Sequence, residues 1–315
     1  MSYFEKSEYD TIYAINYLTL VSSFRTKIKA LLRSHWPSVY PFIYKLYVSL
    51  TNKAIDRKRV DQYSRFVTRG FYPFTLGDTC FEIMLDPGNG GVDMDIFADG
   101  VYEPEILKLL RSHLSADGVF IDIGANIGQH SLYCSYFCRQ VYSFEPVKKL
   151  YDQFKESIAR NKINNIAPQN VALGDTEGEV PIYSNGSSLA ASSIVATKNK
   201  NFIQHVKVVR LDDVYKGLGI DKATLVKIDV EGYELGVLQG AKNFIKKYTP
   251  IIVLEFSPYF YRRTDPGISQ RILDFLSGLG YELYDLGDTH NKKMRISKVE
   301  EISNADQVNL LCIPA

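Results

Sequence analysis

The chain has 315 residues, 45% of them hydrophobic and 23% charged, the balance of a soluble globular protein with a sizeable core. Its 37 basic and 36 acidic side chains leave a formal net charge of +1, without the basic excess of a dedicated nucleic-acid binder. Four cysteines make no disulfide framework and fit a reducing, cytoplasmic setting.

Residues 1–60 read as a helical extension. Ile12, Ile15, Tyr17, Leu18 and Val21 suggest one helix, Ile28, Leu31 and Leu32 another, and Pro37 and Pro41 interrupt the pattern. Between Arg25 and Arg59 nine Lys/Arg stand against one acid, Asp56. Basic flanks around the aromatic-rich stretch Trp36 to Leu50 fit peripheral contact of residues 25–59 with an anionic membrane face. They also fit a helical cap packed on the rest of the chain or across a homo-oligomer. Glu5, Glu8 and Asp10 stand where a secretory leader would be basic. The longest early uncharged run, Thr11 to Phe24, has 14 residues, short of the ~20 that a membrane span needs.

Residues 61–101 form a β-rich lead-in. Thr79 to Leu85 and Asp93 to Phe97 read as short strands around the turn D-P-G-N-G-G. Residues 102–315 read as one α/β domain. Its first helix is predicted over Glu103 to Leu114, with Pro104 in the first turn.

The most informative stretch is Val119 to Glu145. Val119, Phe120, Ile121 and Ile123 make an apolar strand of the kind buried on both faces of a parallel sheet. Gly124 and Gly128 bracket a turn. Leu132, Tyr136 and Phe137 give the following helix an apolar face, and Val141 to Phe144 is a second strand ending on Glu145. Such a turn lets a nucleotide-type ligand approach the backbone, and the acid accepts hydrogen bonds from ribose hydroxyls. A dinucleotide turn, G-x-G-x-x-G, needs glycine where Asn126 and Gln129 stand, because the second glycine makes room for pyrophosphate. A phosphate-free adenosyl ligand such as S-adenosylmethionine (SAM) fits better, with Asp122 and Asn126 as partners for its amino-acid end. The alternatives are a nicotinamide-dependent oxidoreductase and a non-catalytic Rossmann-like binding module.

Beyond Glu145, a helix is predicted from Pro146 to about Asn161 and a third parallel strand over Ile166 to Leu173. A D-T-E-G turn leads into a further strand. Gly186 to Lys200, rich in Ser and Ala, reads as a mobile loop, either a surface linker or a lid. His205 to Arg210 is a strand and Leu211 to Leu218 a short helix. T-L-V-K-I-D-V-E-G (Thr224 to Gly232) repeats the earlier logic: a buried apolar strand, then acids and a glycine. One helix is predicted over Glu234 to Lys247, then a strand, Pro250 to Phe256, a helix, Gly267 to Leu279, and strands at Tyr281 to Leu286 and Val308 to Ile313. The alternation implies an α/β sheet with helices on both faces.

Asp229 and Glu231 are the leading candidates for a general base, because they emerge at the carboxyl end of a central strand. Glu255 and His130 follow; Glu255 has Arg262 and Arg263 as prospective partners. The segment Ser257 to Arg263 offers aromatics and arginines to a sugar or an anion, or is a surface turn. Cys134 and Cys138 read as small buried residues. No metal-ligand spacing stands out, so no metal is expected.

D-I-G-A-N-I-G, F-E-P, V-A-L-G-D and K-I-D-V-E-G-Y-E, in this order and spacing, resemble the FkbM family of SAM-dependent methyltransferases over about residues 95–257. The resemblance implies a Rossmann-like fold: a seven-stranded, mostly parallel sheet with its last strand antiparallel. It also implies O-methylation of a hydroxyl, typically on a carbohydrate or polyketide acceptor. Asp122, Gly124, Asn126 and Gly128, with Ala125 in the same turn, would line the methionine part of SAM. Glu145 would hold the ribose, Ala172 would lie near the adenine, and Asp229 would face the methyl donor.

Overall fold

The computed structural model describes residues 68–185, 188–195, 200–258, 261, 265–287, 294–302 and 307–315. The expected N-terminal helices, and the basic stretch 25–59 within them, lie outside these residues. In chain order the elements are β1 (Gly70–Leu76), β2 (Thr79–Leu85), α1 (Val92–Asp99), α2 (Pro104–Ser112), β3 (Val119–Ile123), α3 (Gln129–Cys134), β4 (Gln140–Phe144), α4 (Lys148–Arg160), β5 (Ile166–Gln169), β6 (Ala172–Leu173), β7 (Gly178–Asn185), β8 (Ser188–Ser193), β9 (Lys200–Val209), α5 (Leu211–Val214), β10 (Leu225–Ile228), α6 (Glu234–Gly240), α7 (Lys242–Tyr248), β11 (Ile251–Phe256), α8 (Ile268–Gly278), β12 (Tyr281–Asp285), β13 (Met294–Ile296) and β14 (Val308–Pro314).

Two compact units result, and the described part of the smaller is residues 68–70 and 85–102. It holds α1, in place of the strand expected over Asp93 to Phe97. Asp93 and Asp95 lie in the first turn of this helix and Gly100 closes it in the left-handed conformation, both favourable to a helix. The Asp93 carboxylate also accepts the Asp86 N–H at 2.7 Å.

The larger unit comprises residues 71–84 and 103–315. Its main sheet runs β13-β12-β14-β11-β10-β3-β4-β5. The pairs from β11 to β5 are parallel, and β14 is antiparallel to both β11 and β12. Among the described residues the main sheet thus has eight strands in place of the expected seven, because the short β13 adds to the edge at β12. The antiparallel last strand is present.

Alternation along the strands gives the sheet two unlike faces. Ile121, Ile123, Phe144, Val226, Ile228, Ile252 and Leu254 belong to one apolar cluster with Val237, Leu238 and Phe244 from α6 and α7. The opposite face carries Asp122, Ser143, Lys227 and Glu255, all buried. Register aligns them: Lys227 lies opposite Asp122, and Asp122 opposite Ser143. The strands are buried on both sides as expected, but the second side sets these polar groups among apolar ones such as Phe120, Leu225 and Val253.

Three further expectations change. The strand foreseen over Ile166 to Leu173 is two strands: β5 ends the main sheet, and β6 belongs to a second sheet of order β6-β9-β7-β8. Between them Asn170 Nδ2 donates to the carbonyls of Glu145 and Pro146 at 2.9 and 3.0 Å, bracing the crossing. Ser188–Ser193, in the expected loop, is a strand paired antiparallel with β7. The helix foreseen over Glu234 to Lys247 breaks at Ala241, where the Asp212 carboxylate accepts the N–H groups of Asn243 and Phe244 at 3.0 and 2.7 Å. A cap supplied from α5 starts a new helix there.

Helix α4 shows how polar side chains substitute for a missing strand. Ser157 Oγ accepts the Met84 N–H at 2.9 Å and Gln153 Nε2 donates to the Met84 carbonyl at 2.8 Å. Asn161 takes both backbone groups of Glu82 in the same way. The backbone of β2 is thereby satisfied by a helix face.

Candidate active site

The turn after β3 is built mainly from backbone. The N–H groups of Gly124 and Ala125 both donate to the Phe144 carbonyl, at 2.9 and 3.0 Å. Gly124 has φ +83, and a Cβ there would lie 1.7 Å from the Asp229 carbonyl oxygen; Gly128 has φ +82, and a Cβ would strike the Phe154 ring at 2.0 Å. Both glycines are therefore demanded by protein packing as well as by backbone conformation. Asn126 is left-handed at φ 53, which Asn tolerates better than most residues. Its side-chain oxygen folds back to accept the Ile127 N–H at 2.8 Å. Ala125, placed in the same turn by sequence, is buried beside these groups.

Glu145 is buried and fastened to this turn. One carboxylate oxygen accepts the Asn126 N–H at 2.8 Å and the other the Val147 N–H at 2.7 Å. Burial raises its pKa from 4.5 to about 7, against the pull of those two N–H donors. Asp122 accepts the Ser131 hydroxyl at 2.6 Å, and Ser131 and Ser143 share a further hydrogen bond at 2.7 Å. Burial lifts the Asp122 carboxyl above its ordinary value, opposed by Lys227 and Ser131. Its second oxygen, Oδ1, is buried with no hydrogen-bond partner among the described residues. Ala172 is buried in β6, paired with Val208.

The end of β10 is built from charge. The Lys227 ammonium lies 2.7 Å from Asp229, with 3% of its side chain exposed against 21% for Asp229. Burial alone would lower the Lys227 pKa, but Asp229, Asp122 and Glu103 outweigh it and hold the amine protonated. Burial opposes ionisation of Asp229 as well, and Lys227 with a hydrogen bond from Glu255 overcomes it, so Asp229 stays anionic. Glu255 moves the other way: burial and the facing Asp229 raise it well above a normal carboxyl, so it retains a proton. Gln307 Nε2 donates to its Oε1. The arginines foreseen as its partners lie outside the described residues. Asp229, Glu231 and Glu255 place carboxylate oxygens within 4.8 Å of one another. Of the three, Asp229 is paired with the Lys227 ammonium.

Glu231 occupies the left-handed region at φ 54, and its carbonyl accepts the Ser193 hydroxyl at 2.6 Å, tying β8 to the turn. The acid that steadies the turn is Glu234, which accepts the Gly232 N–H at 2.9 Å and the Tyr261 hydroxyl at 2.6 Å. Tyr261, in the segment offered to a sugar or a surface turn, is fully buried.

Two residues that sequence reasoning passes over join this site. Lys227 stands inside a strand that reads as apolar; its position two before Asp229, hence on the same face, is the available signal. Glu103 reads in sequence only as a helix start. Its backbone is left-handed (φ 47, ψ 57), outside the extended region that a residue before proline favours. Its carboxylate lies 3.6 Å from His130 Nε2. Burial and Asp229 raise its pKa to about 7, while Lys227 and a hydrogen bond from Asn309 pull down. His130, the fourth base candidate, is held well below its usual pKa by burial first and Lys227 second, so its ring is neutral. Tyr136, expected on the apolar face of α3, lies beyond the end of that helix and is 48% exposed.

The Methyltransferase FkbM domain matches residues 122–283, just over half of the chain. The chain belongs to the FkbM methyltransferase family. Hexuronic acid methyltransferase AglP of Haloferax volcanii is 29% identical over 156 residues, 48% of this chain and 61% of that protein. The chain thus spans less than two thirds of AglP. 2-O-methyltransferase NoeI of Sinorhizobium fredii is 28% identical over 186 residues, 51% of this chain and 74% of that protein. Among solved structures, an FkbM methyltransferase from Methylobacillus flagellatus superposes with a TM-score of 0.42 at 17% identity, over 71% of this chain and 63% of that one. Family membership favours a methyltransferase over the nicotinamide-dependent alternative. No helix among the described residues is long and apolar enough to cross a membrane.

Proposed function

We propose that this FkbM domain is a SAM-dependent O-methyltransferase whose acceptor is a sugar hydroxyl. The observation that carries the reading is the run of polar groups at the carboxyl ends of β3, β4 and β10. Asp122 Oδ1 is a buried acceptor without a donor among the described residues, suited to an amino-acid ammonium. Glu145 holds the turn with one N–H on each oxygen and keeps lone pairs for ribose hydroxyls. Gly124, Ala125, Asn126 and Gly128 form the turn on which the methionine part would rest, and Ala172 would approach the adenine.

SAM, when bound, supplies a methyl group already activated on a sulfonium. The chain's own part is to position the acceptor and to take its proton. Asp229 suits the proton-accepting role, because Lys227 keeps it ionised and 21% of its side chain remains exposed. Glu231 stands beside it. Glu255, protonated, and His130, neutral, orient rather than accept. The name of AglP supports a carbohydrate acceptor, with a hexuronic acid as the first to try, and the name of NoeI supports transfer to oxygen.

Calorimetric titration with SAM tests the cofactor site. Asp122→Ala and Glu145→Ala are each expected to weaken binding at least about tenfold, the order of one lost charge-assisted hydrogen bond. Wild-type affinity in both variants would remove the site. Transfer of labelled methyl to hexuronic acid glycosides tests the acceptor, and Asp229→Asn is expected to lower turnover by about 10²–10⁴, the usual share of general-base catalysis.

A further inference from the structure

We propose that Glu103, which lies outside the stretch matched by the FkbM domain, is a cofactor-binding residue that takes the α-ammonium of the methionine part of SAM. The inference rests on the SAM reading above and adds a ligand to it from the segment before β3.

The backbone gives the first indication. A glutamate at φ 47, directly before a proline, is in a costly conformation. That conformation places its carboxylate against His130, two residues past Gly128 at the end of the glycine turn. The groups around the carboxylate come from four elements: His130 on α3, Lys227 on β10 with Asp229 just beyond it, Asn309 on β14, and Glu255 on β11 at electrostatic range.

Exposure separates these groups by role. Lys227 and His130 are almost closed off, with 3% and 8% of their side chains exposed, whereas Glu103 and Asp229 each keep 21%. Two carboxylates thus hold accessible edges within electrostatic reach of each other. They share one ammonium, that of Lys227, and Asp229 engages it directly. Such a pair repels itself until a further cation enters. Asp122, opposite Lys227 in the sheet register and close enough to both Lys227 and Asp229 to feel their charges, adds a buried oxygen, Oδ1, with no donor among the described residues. An ammonium has three N–H donors and a positive charge, the complement of these acceptors. A neutral acceptor hydroxyl would offer one donor and no charge.

Protonation follows. Glu103 titrates near neutrality in the free protein, and an ammonium beside it favours the ionised form. Binding of SAM should therefore release a proton from Glu103 and tighten as pH rises through 7. Glu145 titrates in the same range, so the two must be told apart by ligand. Methylthioadenosine keeps the adenosine and lacks the amino-acid end; S-adenosylhomocysteine keeps the ammonium and lacks the sulfonium charge.

The experiment is calorimetric titration of wild-type protein and Glu103→Gln with these three ligands, from pH 6 to 8, in two buffers of different ionisation enthalpy. Circular dichroism of each variant accompanies it, and Glu103→Asp is the conservative rescue. The expected result is that Glu103→Gln weakens SAM and S-adenosylhomocysteine at least about tenfold at pH 8 and leaves methylthioadenosine unchanged. The wild-type protein should also release more protons on binding S-adenosylhomocysteine than on binding methylthioadenosine, an excess that Glu103→Gln abolishes and Glu103→Asp partly restores. Equal proton release for both ligands in the wild-type protein overturns the proposal without any variant. So does a Glu103→Gln protein that binds all three ligands as the wild type does, or weakens all three alike. If the wild-type protein binds none of them, the SAM reading itself has failed. If binding depends on Glu145 and Asp122 but not on Glu103, only this inference has.

Discussion

The two turns that meet at the site look alike in sequence and are built on opposite plans. Each leaves a buried strand through an acid and a glycine. The turn after β3 is a backbone structure: Gly124 and Ala125 hang on one carbonyl, Asn126 on a carboxylate, and the glycines have no room for a Cβ. The end of β10 is a side-chain structure, in which Lys227, Asp229 and Glu255 carry one positive charge, one negative charge and one retained carboxyl proton among them. Its turn is steadied by Glu234 and Tyr261. The first turn supplies fixed shape, and the second supplies paired charge. They touch where Gly124 presses on the Asp229 carbonyl and the Asp229 N–H donates to the Ile123 carbonyl at 2.9 Å.

The sharpest way to break this comparison is at that point of contact. Gly124→Ala forces a methyl group into the Asp229 carbonyl at a positive φ and is expected to cost about 4–5 kcal/mol, seen as lost soluble expression or a collapsed denaturant midpoint. A small effect would mean that the turn is held by something other than its packing. Next in size, Lys227→Met leaves Asp229 and Asp122 without their buried cation and is expected to cost about 3–4 kcal/mol in urea unfolding. A neutral result would show that charge does not hold the end of β10. The smallest effect is on pH dependence. Between pH 4.5 and 7 the folded chain keeps a proton on Glu145 that the unfolded chain has released. Stability of the ligand-free protein therefore falls as pH rises through that window and levels off above it. Glu103 contributes with the same sign. Glu145→Gln should flatten the slope of thermal midpoint against pH by an amount equivalent to about 3 kcal/mol; a slope identical to wild type would place that proton elsewhere.

How much of this is legible in the sequence follows the same division. The backbone-built turn is readable because glycine, a strand-ending acid and apolar runs are local signals. Even there the reason shifts: Gly128 is required by Phe154, which lies on the next helix but one and is invisible to any short window. The charge-built end is half readable. Asp229 and Glu231 announce themselves at a strand terminus, while Lys227 hides in an apolar run and Glu103 in a helix start. Burial of either is defined only once β3, β10 and β14 are assembled in one sheet. Element boundaries fail where distant side chains decide them. Asp212 ends one helix by capping the next, and Asn170 braces the chain between two sheets.

That brace carries a consequence of its own. The chain leaves the main sheet at Gln169 and re-enters it only at Leu225, so the second sheet is an excursion whose two ends, β6 and β9, are zipped to each other. An excursion closed at its base can be exchanged as a cassette. Such an exchange would cut one tie to the turn after β10, the Ser193 hydroxyl on the Glu231 carbonyl, and leave the departure at Gln169 and the return at Leu225 where they are.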